Sequence, residues 1–118
     1  MPDPFFQIRS EQSVTVIELT LPAALDTEEF DRLNAEMATT LDGNLHGQWI
    51  LDLSSVSYMG SAILGLLVNL RQQIKSADGK LILCGLSPRL LEVFHACSLE
   101  RLFTIARSRA EAMRLVEK

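Results

Sequence analysis

The chain has 118 residues, 47% of them hydrophobic, with a mass of 13.1 kDa and a mean hydropathy of +0.17. That suffices for one core without disulfide or metal staples and is too little for two unrelated modules. Eleven Lys/Arg against 15 Asp/Glu leave a formal charge of −4 and a pI of about 5.1, which argues against a duplex nucleic-acid binder that relies on neutralising phosphates and against a polybasic membrane anchor.

In chain order, Phe5 to Arg9 and Ser13 to Leu19 read as two strands joined by Ser10-Glu11-Gln12, the second rich in β-branched residues (Val14, Thr15, Val16, Ile17). After Pro22, the run Asp26-Thr27-Glu28-Glu29 supplies an N-cap and an acid three residues on, and Phe30, Leu33, Met37 and Leu41 form one helical stripe. Gly43 and Gly47 end that helix. Trp49 to Leu53 is a strand apolar on both faces, which belongs inside a sheet. A second helix is predicted over about Ser61 to Ser76, with Ile63, Leu67, Leu70 and Ile74 inward. Asp78-Gly79 turns the chain into another doubly apolar strand, Leu81 to Cys84, so that Trp49 to Cys84 has the length of a right-handed parallel crossover. Ser87-Pro88 starts a third helix whose buried face is expected at Leu90, Leu91, Phe94 and Cys97. Phe103 to Ile105 reads as a last short strand, and Ser108-Arg109-Ala110-Glu111 as a capping box for a final helix with Ala112, Leu115 and Val116 inward. The expected fold is an α/β sandwich over residues 1–118: a mixed sheet of about five strands, begun by a hairpin and covered by about four helices.

Charge is unevenly spread: residues 1–60 sum to −8 and residues 61–118 to +4. Six acids, Asp26, Glu28, Glu29, Asp31, Glu36 and Asp42, lie on or beside the first helix. Cys84 and Cys97 lie in apolar runs and read as small core hydrophobes in a reducing compartment; no disulfide framework or zinc spacing is present. The start Met1-Pro2-Asp3-Pro4 is acidic, and the longest nearly apolar run, Ala62 to Leu70, falls far short of the roughly 20 residues of a membrane span. A cytoplasmic protein without membrane insertion is expected.

Chemistry is best sought at Ser54 to Ser61, between the carboxyl end of a central strand and a helix N-terminus. Ser61 falls at the N-cap or in the first turn, where free N–H groups favour an anion, although a hydroxyl there also serves simply as a cap. Gly60 and Gly65 have phosphate-loop spacing, but Leu66-Leu67 stand where Lys and Ser/Thr would be needed. Gly60-Ser61-Ala62-Ile63 lacks the glycine spacing of a hydrolase elbow. His95 lies beside Phe94 in an apolar run and reads as packed or snorkelling, and His46 as a solvated turn residue. His95 and Cys97, two apart, point in different directions, so no metal pair forms. No catalytic constellation and no cofactor site are indicated. Ser61, Leu64, Gly65 and Val68 share a helical side distinct from the core stripe, which suggests an apolar docking edge.

The stretch Val56-Ser57-Tyr58-Met59-Gly60-Ser61-Ala62-Ile63-Leu64-Gly65 resembles the signature of the STAS domain family, in particular its bacterial anti-sigma factor antagonists. Leu25-Asp26, Gly79-Lys80-Leu81 and Cys84-Gly85-Leu86-Ser87-Pro88 also fall where that family places similar residues, so the likeness spans nearly the whole chain. It implies a non-enzymatic antagonist that binds an anti-sigma factor with Ser/Thr kinase activity and frees the sigma factor. Ser61 would be the phospho-acceptor, reset by a Ser/Thr phosphatase, and Ser57, Tyr58, Met59, Gly60, Ser61, Leu64, Gly65 and Val68, with Asp26, would meet the partner. The sequence departs from the family pattern at Gly60 (usually Asp), Ala62 (Ser/Thr) and Ile63 (Gly). Gly60 and Ala62 lend weight to an alternative role, a STAS scaffold or regulatory subunit of a signalling assembly or lipid transporter that is not phosphorylated.

Overall fold

Four successive β-branched side chains, Val14 to Ile17, favour the extended backbone that they adopt in β2, Val14–Leu19. In the computed structural model, which describes residues 6–21 and 26–116, β2 pairs antiparallel with β1, Phe6–Glu11. The link is shorter than the expected three residues. Gln12 and Ser13 alone make the turn, with φ of 49° and 71°, and this left-handed pair matches the twist of the flanking strands. Phe5, Met1 to Pro4, Pro22 and Leu25 lie outside the described residues.

The remaining elements are α1 (Thr27–Leu41), β3 (Gln48–Asp52), α2 (Ser61–Ser76), β4 (Lys80–Cys84), α3 (Pro88–Ala96), a 3-10 turn at Leu99–Arg101, β5 (Thr104–Ala106) and α4 (Arg109–Val116). Local caps set their starts. Asp26 Oδ1 accepts Glu29 N–H at 2.8 Å while Glu29 Oε1 accepts Asp26 N–H at 3.2 Å, a reciprocal capping box. Ser87 Oγ accepts Leu90 N–H at 3.2 Å, and Ser108 Oγ accepts Glu111 N–H at 3.1 Å. The expected reciprocal bond at Ser108 shifts by one residue, since Glu111 Oε1 takes the N–H of Arg107 instead.

The sheet runs β1-β2-β3-β4-β5, parallel from β2 onward. Because strand side chains alternate, each strand presents two faces. Ile17, Trp49, Leu51 and Leu83 pack on one face with Leu33 and Met37 of α1, Leu67 and Leu70 of α2, and Leu90 and Phe94 of α3. Val16, Ile50, Ile82 and Cys84 point the other way, where Ala112 and Val116 of α4 cover them. Trp49 is buried, and its Nε1–H donates to Asn44 O at 3.0 Å. The rings of Phe94 and Phe103 meet at 5.8 Å, tilted by 57°.

Leu91 and Cys97, both expected in the core, are not there. Leu91 is 43% exposed and Cys97 is also exposed, because Leu90 and Phe94, four apart, take the sheet-facing side of this nine-residue helix; Cys97 is its C-cap, beyond the last turn. His95, read as packed or snorkelling, is not packed: its side chain is exposed, with Nδ1 2.6 Å from Glu100 Oε1. Phe103 precedes β5, with its ring buried, and Leu115 is half-buried. Leu90→Ala should therefore cost about 2–5 kcal/mol of unfolding free energy and Leu91→Ala no more than about 0.5 kcal/mol, read from paired urea denaturation curves.

Candidate functional site

With β2 to β5 parallel, their carboxyl ends share one edge of the sheet, and the N-termini of α1, α2, α3 and α4 begin there. The connection from β3 to α2 is pinned rather than loose. Leu53 N–H donates to Cys84 O at 2.9 Å, adding a ladder bond beyond β3, and Val56 N–H turns back to Leu53 O at 3.0 Å. Leu53, Val56 and Met59, three apart, are buried, and between them Ser54, Ser55, Ser57 and Tyr58 face outward, Tyr58 being 52% exposed.

Met59, expected on the docking surface, is only 3% exposed and serves instead as the last peg of this loop. Its long apolar side chain has a core within reach. Ser61 is the first helical residue and does not cap: Gly60 holds the N-cap position, with no side-chain hydrogen bond there. The Ser61 side chain is exposed and makes no hydrogen bond among the described residues, so its Oγ is free beside uncapped N–H groups of the first turn. Gly60 is not dictated by its backbone. Its φ of −82° and ψ of 174° suit any residue, and a Cβ there would meet only Tyr58 Cε2 at 4.0 Å.

Beyond Ser61, Gly65 is exposed, Leu64 and Val68 are half-buried and packed against the core, and Ile63 turns into it. Asp26 starts α1 at the same edge of the sheet, with its carboxylate engaged in the capping box. His95 sits in the last turn of α3, at the other edge, so Ser61 and His95 form no catalytic pair. Among the described residues, no group of three or more His, Cys, Asp or Glu side chains is placed to hold a metal ion.

Under the loop lies an ion network. Asp52, the last residue of β3 and 9% exposed, accepts at Oδ1 from Ser54 N–H at 2.9 Å and Ser54 Oγ–H at 2.5 Å. Arg109, first in α4, lies 3.4 Å from Asp52 Oδ2, 2.7 Å from Glu18 Oε2 and 3.0 Å from Glu11 Oε1, and Arg9 Nε adds a bond to Glu18 Oε1 at 2.8 Å. Glu18 and Asp52 are register partners on neighbouring strands, so two carboxylates stand side by side and a cation between them relieves the repulsion. Hydrogen bonds from Arg9 and then Arg109 hold the Glu18 carboxyl below its ordinary range. Burial opposes the charge on Arg109, but the hydrogen bond to Glu18 and the fields of Glu11, Glu18 and Asp52 prevail and raise its pKa. Burial, with Asp52 nearby, pushes the Cys84 thiol up to about 12, so it stays protonated and unreactive at neutral pH. This network was not visible in the sequence. The one local signal, an acid at or next to the end of each of two strands, names no partner for either.

A family model for the STAS domain matches residues 7–112. The chain belongs to the STAS domain family. A protein of Bordetella bronchiseptica named as an anti-sigma factor antagonist, BtrV, is 30% identical over 92 residues, 78% of each chain. The structure of an anti-sigma-factor antagonist (STAS) domain protein from Planctomyces limnophilus superposes with a TM-score of 0.82 at 25% identity, covering 96% of this chain and 98% of that one. The Bacillus cell fate determinant SpoIIAA in its phosphorylated form aligns with a TM-score of 0.66 at 25% identity, over 94% of this chain and 98% of that one. The fold expected from the sequence is the STAS fold observed.

Gly85 locks this STAS domain's loop from the neighbouring strand end. Its φ is +75°, and a Cβ there would collide with Ser54 Oγ and stand 2.8 Å from Asp52 Oδ1. Gly43 has a similar φ of +80° but open space around it. Gly43→Ala should cost about 1–2 kcal/mol, the conformational share alone, and Gly85→Ala at least about 1 kcal/mol more, by chemical denaturation. Acid should also act through Glu18. A carboxyl depressed in the fold from its ordinary 4.5 contributes stability that is fully present above that value and is lost as pH falls through the lower folded value. The stability gap between wild type and Glu18→Gln should thus narrow as pH drops from 6 to 3, which thermal melts across that range would record.

Proposed function

We propose that this STAS domain, residues 1–118, is a cytoplasmic, non-enzymatic anti-sigma factor antagonist. It docks an anti-sigma factor with Ser/Thr kinase activity through Ser57, Tyr58, Gly60, Ser61, Leu64, Gly65 and Val68, with Asp26 alongside, and so frees the sigma factor. The observation that carries the proposal is the exposed, unbonded Ser61 hydroxyl at the start of α2, beside an apolar strip, in a chain whose relatives are named as antagonists.

Phosphorylation at Ser61 would end the interaction. The Oγ–P bond forms as the γ-phosphoryl of ATP leaves ADP, and the hydroxyl proton passes to a base of the kinase; a phosphatase reverses the state by hydrolysis. The phosphate adds about −1.5 to −2 charge, which the N-terminus of α2 favours by about 0.3–2 kcal/mol, so the domain stays folded. Pressing that dianion against a partner surface without a cation costs several kcal/mol, and each ~1.4 kcal/mol is tenfold in affinity. Gly60, unconstrained by the backbone, offers a side-chain-free approach for the partner's own backbone in place of the carboxylate usual in the family.

The test pairs the domain with a kinase-type anti-sigma factor of the same genome and ATP. Mass spectrometry should find one phosphoryl group, on Ser61. Ser61→Ala should bind like wild type, and Ser61→Asp and Leu64→Asp at least tenfold more weakly. An unmodified Ser61 together with full binding by Ser61→Asp would refute the switch, and no binding of the anti-sigma factor by the wild type would refute the antagonist role and leave the scaffold or transporter-subunit role.

A further inference from the structure

At the opposite edge of the sheet, strand lengths are mismatched. β4 has five residues and β5 three, and because Ile82 pairs with Thr104, Lys80 and Leu81 have no strand partner on that side. The notch is walled by the last turns of α2 and by Leu115 of α4, leaving an open cavity of about 430 Å³. That lies within the range of roughly 300–1,000 Å³ typical of small-ligand sites. Its floor is aliphatic: Ile74, Leu81, Leu115 and the partly exposed Leu102.

The rim is cationic, with Arg71, Lys75 and Lys80, and no acid or aromatic residue lines the cavity. Lys75 and Lys80 have no carboxylate partner among the described residues. Nor does the end of α2 require them, because Ile74 O already accepts from Ala77 and Gly79 N–H, and Lys75 O from Asp78 N–H. Arg71 Nε donates to Leu102 O, which fixes the guanidinium at the rim and leaves its terminal N–H groups for a ligand. Three cations over an aliphatic floor match one chemistry. We propose that this cavity binds a small amphipathic carboxylate, with its aliphatic chain on Leu81, Leu102 and Leu115 and its head between Arg71, Lys75 and Lys80. A planar guanidinium suits a carboxylate in two-pronged contact, and the lack of aromatic walls disfavours a nucleobase. The site is a strand's length, roughly 17 Å, from the Ser61 edge, so it stands whether or not the antagonist role holds.

Decanoate, below its micelle concentration at pH 7, is the probe, followed by amide NMR shifts of the whole chain. Saturable shifts should cluster at Gly79 to Ile82, Leu102 to Thr104 and Leu115. The double variant Lys75→Gln/Lys80→Gln, with an unchanged thermal melt as control for folding, should bind at least tenfold more weakly, as should decanol to the wild type. Acetate at equal concentration should leave these amides unmoved. Shifts absent or located elsewhere, equal binding by the double variant or by decanol, or the same shifts with acetate would each overturn the proposal.

Discussion

Glu18 and Asp52 stand side by side on β2 and β3, and the guanidinium of Arg109 reaches both. The register that buries Ile17, Leu51 and Leu83 on one face and Val16, Ile50 and Ile82 on the other also forces these two carboxylates into adjacency. Arg109 is the first residue of α4, so the same contact anchors the helix whose Ala112 and Val116 cover the second face. Glu18 joins the hairpin through Arg9, and Asp52 joins the loop through Ser54. Partly exposed ion pairs contribute modestly to stability, but this cluster ties the β1–β2 hairpin, β3 and α4 to one point.

From that point the loop toward α2 follows. Ser54 is held by Asp52 and confined by Gly85, and Leu53, Val56 and Met59 fasten the rest to the core. Such pegging lets Ser57, Tyr58 and Ser61 project without the loop collapsing, and a surface ordered in advance loses little entropy on binding. The uncapped start of α2 is the counterpart: α1 and α3 spend a side-chain oxygen on their first N–H groups, whereas α2 leaves its own open beside Ser61.

Much of the architecture was legible in the residues because the signals act over short range. The doubly apolar runs at Trp49 and Leu81 marked the central strands, and the hydroxyls and carboxyls at Asp26, Ser87 and Ser108 marked helix starts. Misread positions share a cause. Leu91, Cys97 and Met59 are apolar residues whose direction depends on which distant surface is available, and hydrophobicity alone does not say which apolar side chain wins a place in the core. Ser61 was read as either cap or exposed hydroxyl, and a one-residue difference in where α2 starts decides it.

By itself the sequence determined the order and type of the elements, the extent of α2 and the presence of a polar loop at the carboxyl end of a central strand, since periodicity and capping operate within about four residues. The tertiary structure alone decided what Arg109 binds, with Glu18 91 residues away and Asp52 57 residues away. It alone opened the notch where β5 falls short of β4 and gathered Arg71, Lys75 and Lys80 around it. Such juxtapositions depend on strand register and helix placement, which are set by packing of the whole core and leave no mark in any local stretch of residues.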